Sequence, residues 1–113
     1  MKEIKAIIQP FMLEHVLDAL RAIEGLPGLT MSQVNGWGKS QAQGALGAIH
    51  LAGHAFVPKT KLEIVVADEM AGAVVDAIAR AARTGKVGDG KIFVYDVADV
   101  IQIRTGDHGK GAI

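Results

Sequence analysis

The segment Arg83-Thr84-Gly85-Lys86-Val87-Gly88-Asp89-Gly90-Lys91 holds the residue types and spacing best suited to chemistry. Three glycines let the backbone approach a ligand closely, exposed N–H groups in such a turn can cradle a phosphate, and Arg83, Lys86 and Lys91 supply positive charge. Taken alone the pattern is weak, because a glycine-rich helix-to-strand turn beside lysines also occurs with no ligand. It lacks the spacing of the Walker loop, G-x-x-x-x-G-K-[ST], so P-loop hydrolysis is not implied. A second candidate is the pair His50 and His54. On a helix their spacing puts both imidazoles on one face, where they could ligate a transition metal; otherwise they are two solvated loop histidines. No acid–base pair, nucleophile with its base, or recognised metal-ligand motif stands out, so the expectation is binding rather than turnover.

The elements that must position these groups follow from the hydrophobic periods. Ile4, Ala6 and Ile8 alternate with Lys5, Ile7 and Gln9, predicting a strand that ends at Pro10. Leu13, Val16, Leu17, Leu20 and Ile23 then fall at helical spacing, until Gly25, Pro27 and Gly28 end the helix. A second strand is expected over Leu29 to Gly36, and a third begins near Thr60, where Leu62, Ile64 and Val66 alternate with Lys61, Glu63 and Val65. A second helix carries Met70, Val74, Val75, Ile78, Ala81 and Ala82, with Asp68 and Glu69 at its start and Arg80 and Arg83 in its last turn, complementing the helix dipole. Lys91 to Val97 reads as a fourth strand. The order βαββαβ predicts an α+β, ferredoxin-like sandwich: an antiparallel sheet with two helices on one face. Apolar residues on both strand faces, as with Ile7 beside Ile8 and Phe93 beside Val94, imply that self-association covers the other.

Between the second and third strands, Gly38 to Pro58 forms a long stretch with no convincing period, rich in Gly, Ala and Gln. Loops this long in a compact domain are commonly functional, so a partner-binding or ligand-responsive loop is expected there, against the simpler reading of a flexible hairpin.

Composition narrows the classes. The 113 residues suffice for one domain. Half of them are hydrophobic but only 4% aromatic, so the core must be aliphatic. Twelve basic residues balance twelve acidic ones, which disfavours nucleic acid or anionic membrane as the partner. There is no cysteine, and the charged opening residues leave no room for an apolar signal core, so a cytoplasmic protein is expected.

The stretch Thr84-Gly85-Lys86-Val87-Gly88-Asp89-Gly90-Lys91-Ile92-Phe93-Val94 resembles the signature of the PII signal-transduction family. So do the opening Met1 to Phe11, the Gly36-Trp37-Gly38 triplet, Pro58 to Val66 and the ending Ile103-Arg104-Thr105-Gly106, and together they span nearly the whole chain. The resemblance implies a homotrimer that binds ATP or ADP in clefts between subunits. It places Thr30 and Gly36 beside the nucleotide, and Thr84, Gly88, Asp89, Gly90 and Lys91 around base and phosphates. It also gives Lys59 and Arg104 to the anionic groups. It further implies Mg and 2-oxoglutarate as co-ligands, and a loop that engages a membrane transporter or metabolic enzyme through Lys39, Ser40, Gln43, Leu46, His50, Ala52 and His54.

Several residues depart from the family pattern. Lys39-Ser40 stands where most members have Arg-Gln, and a serine is too short to replace the glutamine that helps hold Mg and 2-oxoglutarate. Gln102 replaces the first arginine of an Arg-x-Arg pair, removing a phosphate-binding cation. Ala52 occupies the place of the uridylylated tyrosine, which rules that modification out. The alternative function is a metal-responsive relative serving heavy-metal or other small-solute transport, in which His50 and His54, with His15 or His108, bind Zn, Cu or Ni.

Overall fold

The computed structural model of the chain describes residues 1–37 and 49–113. Its regular elements are β1 (Lys2–Ile8), α1 (Leu13–Arg21), β2 (Thr30–Gly36), β3 (Ile49–Leu51), β4 (His54–Val66), α2 (Asp68–Ala82) and β5 (Gly90–Asp96). All strand pairs are antiparallel, in the order β2-β4-β1-β5, with β3 added to the start of β4. This is the ferredoxin-like α+β arrangement expected from the βαββαβ order.

Alternation along the strands divides the sheet into two faces. Ile4, Ala6 and Ile8 of β1 lie opposite Ile64, Leu62 and Thr60 of β4, and all six are buried. Val16 and Leu20 of α1 and Val74, Ile78 and Ala82 of α2 close over the hydrophobic members of that face, making a core built almost wholly from aliphatic side chains. Both helices therefore pack on one side. The opposite face carries Ile7, Lys59, Phe93 and Tyr95 beside Lys5, Lys61 and Glu63, a mixture of apolar and charged groups. No helix among the described residues is long and apolar enough to cross a membrane.

The structure differs from expectation at three places. β4 begins at His54, not near Thr60, and its first residues pair with β3 as a hairpin: Ile49 opposite Phe56, His50 opposite Ala55, Leu51 opposite His54. The turn is Ala52-Gly53, with both residues at positive φ, the geometry that matches the twist of paired strands. The Ile49-His50-Leu51 alternation spans only three residues, too short to mark a strand in the sequence. Arg83 falls just outside α2 in extended conformation, and β5 starts at Gly90.

Candidate functional site

The turn between α2 and β5 has no regular hydrogen-bond ladder, and the Asp89 carboxylate closes it instead. One oxygen accepts from the backbone N–H groups of Thr84 and Gly85, each at 2.8 Å. The other accepts the Thr84 hydroxyl and the Gln9 side-chain amide, the latter at 3.1 Å. The Thr84 hydroxyl in turn accepts from the Lys86 N–H at 3.2 Å. Donation by the Thr84 hydroxyl, with the two backbone N–H groups and Gln9 adding to it, holds the Asp89 carboxyl at a pKa of about 2.

Gly85, Gly88 and Gly90 all have positive φ. At Gly90 the demand for glycine is doubled, because an added Cβ would stand 1.7 Å from the Ile7 carbonyl oxygen of β1. The turn is thus clamped against β1 where β5 begins pairing. From the open sheet face Lys59, only 8% exposed, donates its ammonium to the Gly88 carbonyl at 2.6 Å. Burial pushes the Lys59 pKa down, opposed by the nearby Asp89 charge. Gly36 lies alongside this lysine: a Cβ there would be in ordinary contact with the Lys59 Cγ, at 3.4 Å.

These groups surround a cleft of about 480 Å³. Its walls come from Ile7 of β1, Gly36 and Trp37 at the end of β2, Lys59 of β4, the turn from Lys86 to Lys91, and Phe93 of β5. Three ammonium groups, Lys59, Lys86 and Lys91, face one carboxylate whose oxygens are already occupied within the turn. The balance favours a polyanion. Ile7, Trp37, Val87 and Phe93 add apolar surface of the kind that accepts a flat ring.

Of the residues expected at the site, Gly36, Lys59, Gly88, Asp89, Gly90 and Lys91 line this one cleft, and Thr84 braces it through Asp89. Thr30 instead lines a separate depression with Glu63 and Val65, and Arg104 is exposed outside the cleft. Gln102 uses its side-chain oxygen to accept the Thr105 hydroxyl at 2.8 Å, bracing the turn next to Arg104. Ile7 and Phe93 were not among the residues singled out for the site. Their signal was the apolar character of both faces of β1 and β5, which reads equally as a buried interface.

Lys39, Ser40, Gln43 and Leu46 lie outside the described residues. The hairpin overturns the helical premise for His50 and His54. His50 shares a strand face with Ala55 and His54 with Leu51, so the two imidazoles project from opposite faces. His54 packs instead on Trp37, edge to face, with ring centroids 5.3 Å apart. Among the described residues no group of three or more side chains could hold a metal ion.

Comparison with known proteins agrees with this architecture. The family described as Nitrogen regulatory protein P-II matches residues 1–107. The Nitrogen regulatory protein P-II of Klebsiella oxytoca is 49% identical over 115 aligned positions, covering 100% of both chains. Nitrogen regulatory protein P-II 1 of Escherichia coli (strain K12) has the same identity and coverage. Among solved structures, Arabidopsis thaliana PII bound to citrate superposes with a TM-score of 0.79 at 39% identity, covering 99% of this chain and 91% of that one. The chain belongs to the nitrogen regulatory protein P-II family.

Proposed function

We propose that this chain is a homotrimeric signal-transduction regulator that binds ATP or ADP in clefts between subunits and controls a membrane transporter or metabolic enzyme of nitrogen metabolism through the segment around residues 38–58. The observation that carries the reading is the convergence of Lys59, Lys86 and Lys91 on a glycine-rich turn whose one carboxylate is already satisfied. Such a site suits the phosphates of a nucleotide, and the apolar wall of Ile7 and Phe93 suits its base.

Assembly supports the same reading. Phe93 and Tyr95 remain 41% and 43% exposed on the sheet face away from the helices, which a trimer would cover. Thr30 and Arg104 sit outside the cleft of their own chain, as expected if each completes a neighbour's site. The end of β2 enters the long segment directly from Gly36 and Trp37, so the cleft wall and the partner-binding segment are continuous. A bound nucleotide moves that segment only to the extent that it prefers one of its conformations.

With Ser40 in place of glutamine, nucleotide binding is expected to be insensitive to 2-oxoglutarate. Opposed faces for His50 and His54 leave the metal-responsive reading without a shared site. The test is a thermal melt with parallel limited proteolysis. ATP or ADP should raise the melting temperature and change cleavage within residues 38–58; neither effect at millimolar nucleotide would refute the reading.

A further inference from the structure

We propose that Gln9 is a positioning residue for the nucleotide turn, and that Asp89 is the internal frame of that turn rather than a contact to the ligand. The inference rests on the nucleotide reading above and refines it.

Asp89 presents both carboxylate oxygens to donors inside the protein: two backbone N–H groups, one hydroxyl and one amide. A carboxylate with its acceptor capacity so used, and held ionised, has little reason to face an anionic phosphate. Its work is local. It gathers the N–H groups of Thr84 and Gly85, while the Thr84 hydroxyl takes that of Lys86. The amides of Val87 and Gly88 take no part in this network and face no competitor for a ligand within it.

Three of the four bonds to Asp89 come from Thr84 and Gly85 in its own turn. A turn bonded only to itself can still pivot as a unit, and Gln9 supplies the external fixed point. It follows β1, is extended, and its own carbonyl accepts the Met12 N–H at 3.0 Å at the entry to α1. Pro10 restricts its backbone further. The side-chain amide therefore links a rigid strand–helix junction to the carboxylate that organises the turn. The second anchor, Gly90 against the Ile7 carbonyl, lies at the adjacent end of the same strand pair. Together they hold the turn, with Lys86 and Lys91 on it, at a fixed distance from Lys59.

The experiment compares wild type, Gln9→Leu and Gln9→Lys as assembled, full-length proteins. It reads amide hydrogen exchange at Thr84 and Gly85 without ligand, and ATP affinity by calorimetry. Leucine fills the same space without a donor, while lysine restores a donor able to reach Asp89. A lost hydrogen bond to a charged group predicts exchange about tenfold faster and ATP affinity about tenfold weaker in Gln9→Leu, with both recovered in Gln9→Lys. Unchanged exchange in Gln9→Leu overturns the proposal. So does weaker binding with unchanged exchange, which would make Gln9 a ligand contact, or faster exchange with unchanged affinity. If wild type binds no ATP, the nucleotide reading fails, while the exchange measurement still decides whether Gln9 fixes the turn.

Discussion

The Lys59 ammonium donates to the Gly88 carbonyl at 2.6 Å, joining the open sheet face to the glycine-rich turn across the mouth of the cleft. The bond ties up a cation that an incoming anion would otherwise engage, and it holds that cation where burial already disfavours its charge.

A proton-uptake prediction follows from the sign of that shift. The pKa of Lys59 in the free protein lies below its ordinary 10.5, so the ammonium loses its proton earlier than an exposed lysine as pH rises. A bound polyanion favours the charged form and raises the pKa again. At alkaline pH below 10.5, ATP binding should therefore take up protons, and affinity should fall as pH climbs through the depressed value. Calorimetry in buffers of different ionisation enthalpy measures the uptake. Lys59→Gln should abolish it and weaken binding about 10- to 100-fold, the size of a charge-assisted hydrogen bond.

Two glycines of the turn should respond differently to alanine. Gly90→Ala drives a methyl to 1.7 Å from the Ile7 carbonyl in a positive-φ residue, and should cost more than about 3 kcal/mol of stability. Gly85 also has positive φ but open space around its Cα, so Gly85→Ala should cost only about 1 kcal/mol. Chemical denaturation of the two variants separates the contributions of contact and conformation; equal losses would show that the close approach to β1 contributes nothing.

Thr60 offers a change in the opposite direction. Its residue is 1% exposed, and its hydroxyl has no hydrogen-bond partner among the described residues. Thr60→Val keeps the shape and removes the unsatisfied group. It should raise stability by about 1–2 kcal/mol, read as a higher denaturation midpoint. A loss of similar size would mean that the hydroxyl is satisfied in solution.

Metal titration tests the hairpin. With His50 and His54 on opposite strand faces, Zn should bind the wild type no more tightly than the double variant His50→Ala, His54→Ala. A tenfold or greater loss of Zn affinity in the double variant would contradict the hairpin pairing.

Most of the fold was legible because its period lay in strongly apolar residues. The 3.6-residue spacing of Val16 and Leu20 and of Val74 and Ile78, and the alternation of Ile4, Ala6 and Ile8, mark the faces that meet in the core. The glycine-rich, basic character of residues 86–91, which line the cleft, was legible because the glycines and lysines stand close together in sequence. Less local dependences were not. Gly90 is required by a carbonyl on β1, and Asp89 is tied by an amide just beyond β1, so neither requirement shows in the turn itself. The β3–β4 hairpin was weighed only as the simpler reading of the long segment, because the three-residue Ile49-His50-Leu51 alternation is too short to mark a strand, which leaves the register to backbone pairing.

The central claim, a nucleotide sensor built on the Lys59–Gly88 cleft, is tested most directly by calorimetric titration of the purified protein with ATP and with ADP, each with and without Mg and 2-oxoglutarate. The account predicts saturable binding near one nucleotide per subunit, unchanged by 2-oxoglutarate. A folded trimer that binds neither nucleotide at millimolar concentration would contradict it.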